Sequence, residues 1–162
     1  MRLITLIFLL MTAGAATAGE KVAFFGLTLL DTSLQTAETG DHGERARLAM
    51  LEQMVRERFA EEGYELLDLA PVQDSLDRIV NPAKCYGCDT RMATKLGADY
   101  ALVGEVQKVS NLILSMNLQM RDATTGKMVK GRVVDFRGNT DQSWSRAMRY
   151  ILKTAFFIRE EK

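Results

Sequence analysis

Cys85 and Cys88 are the residues best suited to chemistry, since they are the chain's two cysteines and two residues separate them. The Cys-x-x-Cys spacing occurs in small disulfides, in thiol–disulfide oxidoreductases and in half of a tetrahedral zinc site. Asp89 stands where a covalent haem motif needs histidine. Three interpretations are therefore open: a structural disulfide, a redox-active pair and a metal-binding pair.

The N-terminus indicates the compartment in which these thiols work. Arg2 precedes the apolar run Leu3–Met11, and Ala16 and Ala18 supply the small residues that a signal peptidase recognises. We therefore expect residues 1–18 to be a secretory signal peptide, cleaved before Gly19, and the mature protein to be periplasmic. No later run approaches the ~20 apolar residues of a transmembrane helix, and no cysteine at the cleavage site suggests a lipid anchor.

Export favours the structural interpretation of the cysteine pair, because thiols in an oxidising compartment usually join. Such a short loop loses little chain entropy, so its disulfide stabilises the fold modestly. A helix starting at Cys88 or Asp89 would favour a thiolate and redox exchange. Against that interpretation, no strand leads directly into the motif, and Asn81-Pro82 precedes it.

Metal or catalytic chemistry has weaker support in the sequence. Two thiolates fill half of a tetrahedral site, and His42 is the chain's one histidine. Asp31, Asp41 and Glu44 are expected to be loop charges or helix N-terminal acids. The chain lacks a Gly-x-Ser-x-Gly elbow, a phosphate-binding glycine loop and a dinucleotide fingerprint. We therefore expect no catalytic residues, no resident metal and no cofactor.

A second candidate group follows the predicted last strand: Arg137, Asn139, Asp141 and Trp144. As a recognition surface, it would offer hydrogen-bond donors and a large aromatic anchor. The favoured alternative is a turn and helix cap, in which Thr140 or Asp141 caps the helix and Trp144 begins its buried stripe.

Composition indicates one ordered domain with no charge bias. About 144 residues remain after the predicted cleavage, and 47% of the chain is hydrophobic. Twenty-one basic residues balance 21 acidic ones, which argues against a nucleic-acid partner. We expect residues 19–162 to form a single α/β domain.

Hydrophobic periodicity predicts five strands and four helices. Period-2 or continuous apolar patterns predict strands at 21–30, 64–69, 98–109, 112–122 and 127–136. Helical spacing predicts helices at 44–62, from Pro71 through Ile79, from Cys88 or Asp89 to Leu96, and from Thr140 or Asp141 to Ala155. The helix between the first two strands favours parallel pairing, and short turns favour an antiparallel meander of the last three. A mixed five-stranded sheet of order 2-1-3-4-5, covered by helices, follows.

The segment Leu96–Val106 and the turn Asp122–Gly126 resemble a recurring pattern of bacterial envelope domains. These domains include the N-terminal domain of the translocation protein TolB and the curli secretion protein CsgG. In that pattern a helix ends at Leu-Gly-Ala-Asp, a strand ends at Gly-x-Val, and a hairpin carries Asp-x-x-x-Gly. The resemblance covers most of the predicted mature chain, and implies an anticodon-binding-like α/β fold that serves protein contacts and envelope assembly.

The segment Asp135–Trp144 and the Cys-x-x-Cys are also similar to a family of small secreted proteobacterial proteins of unknown function. The leading functional expectation is a non-enzymatic periplasmic accessory or assembly module with an envelope protein as its partner. The alternative is a thiol–disulfide or metal-handling protein that uses Cys85 and Cys88.

Overall fold

The computed structural model describes residues 19–34 and 43–158. The predicted signal peptide, Asp41 and His42 lie outside these residues. The main elements, in chain order, are β1 (Lys21–Asp31), α1 (Glu44–Glu61), β2 (Glu65–Leu66), α2 (Gln73–Leu76), α3 (Cys88–Leu96), β3 (Tyr100–Lys108), β4 (Leu114–Asp122), β5 (Met128–Phe136) and α4 (Asp141–Ile151). One-turn 3-10 helices lie at Ala70–Val72 and Pro82–Lys84, and α4 continues as a π-helix at Leu152–Phe156.

The five strands form one mixed sheet of order β2-β1-β3-β4-β5, which confirms the predicted order. β1 pairs in parallel with β2 and β3, whereas β3, β4 and β5 form an antiparallel meander. The parallel pairs are joined through helices, as parallel connections require. The predicted α/β architecture is therefore confirmed.

One face of the sheet, here called the α1/α4 face, carries the larger hydrophobic core. Alternate β4 residues such as Met116 and Leu118 point into it, together with Val55 of α1 and Trp144 of α4. The alternation in β4 and the 3.6-residue period of both helices place their apolar side chains on this face.

The opposite face, here called the α3 face, carries a smaller core. Ala101 and Val103 of β3 contact the cluster that contains Met92 and Ala93 of α3. Farther across this face, β4 presents polar side chains. These are Ser115, Asn117, Gln119 and Arg121, which alternate with the buried apolar residues.

Two predicted elements differ from the structure. The second strand is only two residues long, Glu65–Leu66, because the chain turns away after one ladder step with β1. The predicted helix from Pro71 through Ile79 is a 3-10 turn followed by the four residues of α2. The strand predicted at 112–122 begins at Leu114, so Leu112, the first apolar residue of its alternating pattern, precedes β4 and is 70% exposed.

Candidate functional site

Cys85 and Cys88 form a disulfide with their Cα atoms 5.5 Å apart. Cys88 is the first residue of α3, and both cysteines are half-buried. Between them, Tyr86 is 99% exposed and has a left-handed φ of 54°. A left-handed non-glycine residue costs roughly 1–2 kcal/mol, so the disulfide loop holds Tyr86 in a strained, outward position.

The disulfide loop rests on the polar part of the α3 face. Asn81 Nδ2 donates a hydrogen bond to the buried carboxylate of Glu105, and Lys84 Nζ lies 2.9 Å from Glu105 Oε1. Gln119 Nε2 donates to the Ala83 carbonyl over 3.3 Å. Residues 81–84, which lead into the disulfide, are therefore attached to β3 and β4 through polar contacts, and two of these contacts stabilise the buried carboxylate of Glu105.

A cleft of about 280 Å³ lies beside the disulfide and is lined by Lys84, Tyr86, Asp89 and Arg121, among others. Asp89, in the first turn of α3, has a buried side chain, and its Oδ2 lies 3.6 Å from Arg121 Nε. A carboxylate at a helix N-terminus is favoured by the helix dipole. Charges of both signs line the cleft, and Asp89 and Arg121 are paired with each other, so the cleft favours neither anions nor cations.

Asn139, from the second predicted group, is a hydrogen-bonding hub. Its Oδ1 accepts from Arg47 Nη1 and Trp144 Nε1, each at 3.1 Å. Its Nδ2 donates to Glu44 Oε1 over 2.6 Å and to Asn111 Oδ1 over 3.3 Å. The amide thus joins the starts of α1 and α4.

Trp144 is fully buried, whereas Arg137 and Asp141 are exposed. Thr140 caps α4: its Oγ1 accepts from the Ser143 N–H, and Ser143 Oγ accepts from the Thr140 N–H. These positions agree with the turn-and-cap interpretation. Binding of a partner by Arg137, Asn139, Asp141 and Trp144 stays a prediction.

A buried charge cluster, which the sequence analysis missed, adjoins this hub. Lys108 is fully buried, and its Nζ lies 2.6 Å from Glu44 Oε1 and 3.3 Å from Asp31 Oδ2. Burial lowers the pKa of Lys108, but hydrogen bonds from its ammonium to Glu44 and Asp31 outweigh that effect, so the net shift is upward. The signal was present: Lys108 follows Leu102 and Val106 at even spacing and therefore points to the α1/α4 face.

The described residues offer neither a metal centre nor a membrane span. Within 19–34 and 43–158, no group of three or more His, Cys, Asp or Glu residues could hold a metal ion. None of the helices in that part of the chain is both long and apolar enough to cross a bilayer.

β5 is an exposed edge strand of the sheet, and the sheet edge that it forms is here called the β5 margin. It is nine residues long, and it is the terminal strand of the sheet at that side. Its α3 face exposes 57% of Met128 and 65% of Val133. Between them, Gly131 forms the floor of a hollow of about 290 Å³, which Asn117 and Gln119 of β4 also line.

A larger cleft of about 650 Å³ separates α1 from the C-terminal segment. Apolar Met54, Leu152 and Phe157 lie beside charged residues of both signs, including Arg58 and Glu61. Arg58 bridges Glu61 at 3.2 Å, so part of this charge is already paired.

The sequence matches one family model, DUF3280, described as a protein of unknown function (DUF2380), over residues 20–156. The chain belongs to the DUF3280 family. This confirms the expected membership of a family of unknown function. No curated protein is significantly similar to this DUF3280 sequence.

Solved structures are similar to this DUF3280 protein at low sequence identity. The lipoprotein GNA1162 from Neisseria meningitidis has a TM-score of 0.51 and 14% identity, over 82% of this chain and 92% of that one. A PelC dodecamer structure from Paraburkholderia phytofirmans gives 0.48 and 14%, over 84% and 88% of the two chains. The LpoB C-terminal domain from Salmonella enterica gives 0.47 and 18%, over 76% and 86%. The first match shows a shared fold; the likeness to TolB and CsgG domains stays a prediction.

Proposed function

We propose that this protein is an exported, non-enzymatic accessory module of the bacterial envelope that binds a protein partner through β5. The supporting observation is the exposed margin of the sheet. β5 is a nine-residue terminal strand, so the backbone N–H and C=O groups of its alternate residues point away from β4, and its α3 face exposes Met128 and Val133 around the Gly131 hollow. An exposed strand of this kind is a ready template for another extended chain.

The periplasmic location in this proposal rests on residues 1–18, whose charged start, apolar run and small-residue site have the form of a signal peptide. The absence of catalytic chemistry rests on the motif analysis. The buried charges around Lys108, around Glu105 and at Asp89 are engaged in internal contacts and support the fold.

Photo-crosslinking in the native host tests this proposal. A photoreactive amino acid replaces Val133 in the full-length chain, and a matched variant carries it at Val80, another exposed valine, 95% accessible and distant from β5 in sequence. We expect a discrete protein adduct from position 133 that position 80 does not form. Adding Gly131→Leu, which fills the hollow, removes the adduct while the far-UV spectrum is retained. No adduct at 133, or the same adducts from both positions, contradicts the proposal.

The disulfide supports a second candidate function, thiol–disulfide exchange. Cys88 lies at the N-terminus of a nine-residue helix, where a thiolate is stabilised, and both cysteines are half-buried rather than enclosed. The reduction potential measured against glutathione decides this point. A value below about −300 mV indicates a structural bridge, whereas a value near those of the periplasmic oxidants indicates exchange.

A further inference from the structure

We propose that the segment bound by β5 is a single extended strand in which acidic residues alternate with apolar ones. This inference rests on the proposed function, because it specifies the chemistry of the partner at the same surface. The period of a β-strand places successive side chains on opposite faces of the sheet. A strand added to β5 therefore meets two different environments, one on each face.

The two margins of the sheet differ in their capacity to pair. The other side of the sheet is short and irregular: β2 has two residues and pairs with β1 at Lys21 and Val22 only. The part of β1 beyond them is interrupted by a bulge, and Glu52 Oε1 accepts a hydrogen bond from the Leu27 N–H there over 2.8 Å. β5 offers nine residues, and no proline interrupts them. Strand addition is therefore directed to β5.

The α1/α4 face of β5 is basic. Lys130 and Arg132 lie on this face, because they pair with Met120 and Leu118 of β4, whose side chains enter the core there. Lys130 Nζ donates to the Phe156 carbonyl over 2.7 Å, and Arg132 Nη2 to the Tyr150 hydroxyl over 3.2 Å.

These acceptors are uncharged. Neither cation has a carboxylate partner among residues 19–34 and 43–158. Acidic side chains on an added strand would supply that partner.

Two further cations extend this charge along the margin. Lys127 and Arg137 flank β5 and are exposed, and Asp135 is the one acid within the strand. A partner strand therefore passes four cations and a single carboxylate, which favours acidic residues on the side facing Lys130 and Arg132.

The α3 face of β5 exposes two apolar side chains, and Asp135 lies at its far end, opposite Ser115. Met128 and Val133 are exposed on either side of the Gly131 hollow, which is large enough for a branched aliphatic or aromatic side chain. Burial of apolar side chains against this surface provides non-directional attraction. The partner residues between the acids are therefore apolar.

The same charges disfavour a second copy of this chain. If two β5 strands paired antiparallel about their middle residues, Lys130 and Arg132 of both copies would gather on one face. Like charges opposite each other across strands are destabilising. A heterologous acidic strand is the occupant that fits.

Synthetic ten-residue peptides test this inference with the full mature chain. One alternates Glu and Val, a second alternates Lys and Val, and a third has the first peptide's composition in two blocks. By fluorescence anisotropy at physiological salt, we expect the Glu/Val peptide to bind about tenfold tighter than either other peptide. Hydrogen exchange should show new protection in β5 on its addition.

Charge reversal supplies matched variants. Lys130→Glu/Arg132→Glu should weaken Glu/Val binding about tenfold or more. If the charge-reversed variant does not fold, the neutral variant Lys130→Gln/Arg132→Gln takes its place, and it should also weaken binding of the Glu/Val peptide. Arg78→Glu/Lys95→Glu, at exposed positions outside β5, makes the same change in net charge and should leave binding within about twofold.

This inference is overturned by equal binding of the alternating and block peptides, by equal effects of the two reversals, or by protection confined to residues outside β5. Concentration-dependent dimerisation that protects β5 also overturns it. An adduct at position 133 without Glu/Val binding refutes this inference alone. Binding of the Glu/Val peptide without any adduct in the host refutes the proposed function, but not the inferred preference of β5 for an alternating acidic and apolar strand.

Discussion

Lys108 illustrates how one buried charge joins several elements. It lies at the end of β3, while its partners Glu44 and Asp31 lie at the start of α1 and the end of β1. Taking these charges from water is costly, and their mutual attraction compensates only while all are present. The cluster therefore holds three elements in a fixed relation.

Replacing Lys108 with Met should lower the free energy of unfolding by about 3–5 kcal/mol, because it removes this cation from the buried Glu44 and the half-buried Asp31. Urea unfolding measures this change. The exposed control Lys95→Met should stay within about 0.5 kcal/mol of the natural protein. A loss for Lys108→Met no larger than that of the control would contradict the assigned role.

Asp122 makes a pH-dependent contribution in the β4–β5 turn. Hydrogen bonds donated by the Thr125 N–H and hydroxyl hold the pKa of Asp122 below its usual 3.8. A lowered folded-state pKa adds stability above the unfolded value, and that stability is lost as pH falls through the folded value. Asp122→Asn should therefore reduce the decline of unfolding free energy below pH 3.8, measured against the natural protein.

The hydrophobic pattern of the sequence predicts the environment of some side chains and not of others. Trp144 was placed in the core by helical spacing, and it is fully buried. The partners of Lys108 and Glu105 escaped prediction, because ion pairs between Lys108 and Glu44, or Glu105 and Lys84, depend on how distant elements pack. Local periodicity carries no information about such contacts.

At the scale of elements, the disulfide loop positions the Pro82–Lys84 turn over the sheet. Cys85→Ala/Cys88→Ala should lower the free energy of unfolding by about 2 kcal/mol, the chain-entropy value for so short a loop. A reducing agent should destabilise the natural protein similarly and leave the double variant unchanged. Unfolding that is insensitive to reduction in both proteins would contradict a structural contribution.

Gly104 and Gly131 form a matched pair for testing strand packing. A Cβ at Gly104 would lie 2.5 Å from Leu27 Cδ2 and 2.8 Å from the Asn117 carbonyl oxygen. At Gly131 the nearest atom is the flexible Met128 Sδ at 2.8 Å.

Gly104→Ala should cost about 1–3 kcal/mol and Gly131→Ala less than about 1 kcal/mol, measured by thermal unfolding. Equal costs would show that the β3–β4 backbone can relax around an added methyl group.

Elements with strong periodicity were predicted well, and those without it were not. The alternating pattern predicted β4, and the apolar residues of this nine-residue strand are buried at every second position from Leu114 to Met120. β2 is two residues because its pairing with β1 is limited by the turn that follows, a tertiary effect that propensity does not contain. A 3-10 turn and the four residues of α2 replace the longer helix predicted from Pro71 through Ile79.

For the whole molecule, strand order predicts a gradient of stability. Amides of β3 and β4, which pair with a strand on both sides, should exchange most slowly, and outward-facing amides of β5 fastest. Native-state hydrogen exchange followed by NMR measures this gradient. Protection of outer β5 amides equal to that of β3 would show that this margin is covered in solution.

The global topology was predictable because few arrangements satisfy a parallel crossover followed by short hairpins. The candidate binding margin was less predictable. The order 2-1-3-4-5 makes β5 terminal, but the Gly131 hollow and the placement of Lys130 and Arg132 on one face and Met128 and Val133 on the other appear only when β4 and β5 are in register.

The two edges of the sheet differ in length, and this difference limits how many strands one molecule can bind. Unlimited growth by strand addition requires two edges that can pair on every subunit, and the side formed by the two-residue β2 and the bulged β1 does not supply the second. A single chain docked along β5 would saturate the molecule, giving a closed one-to-one complex instead of a fibre.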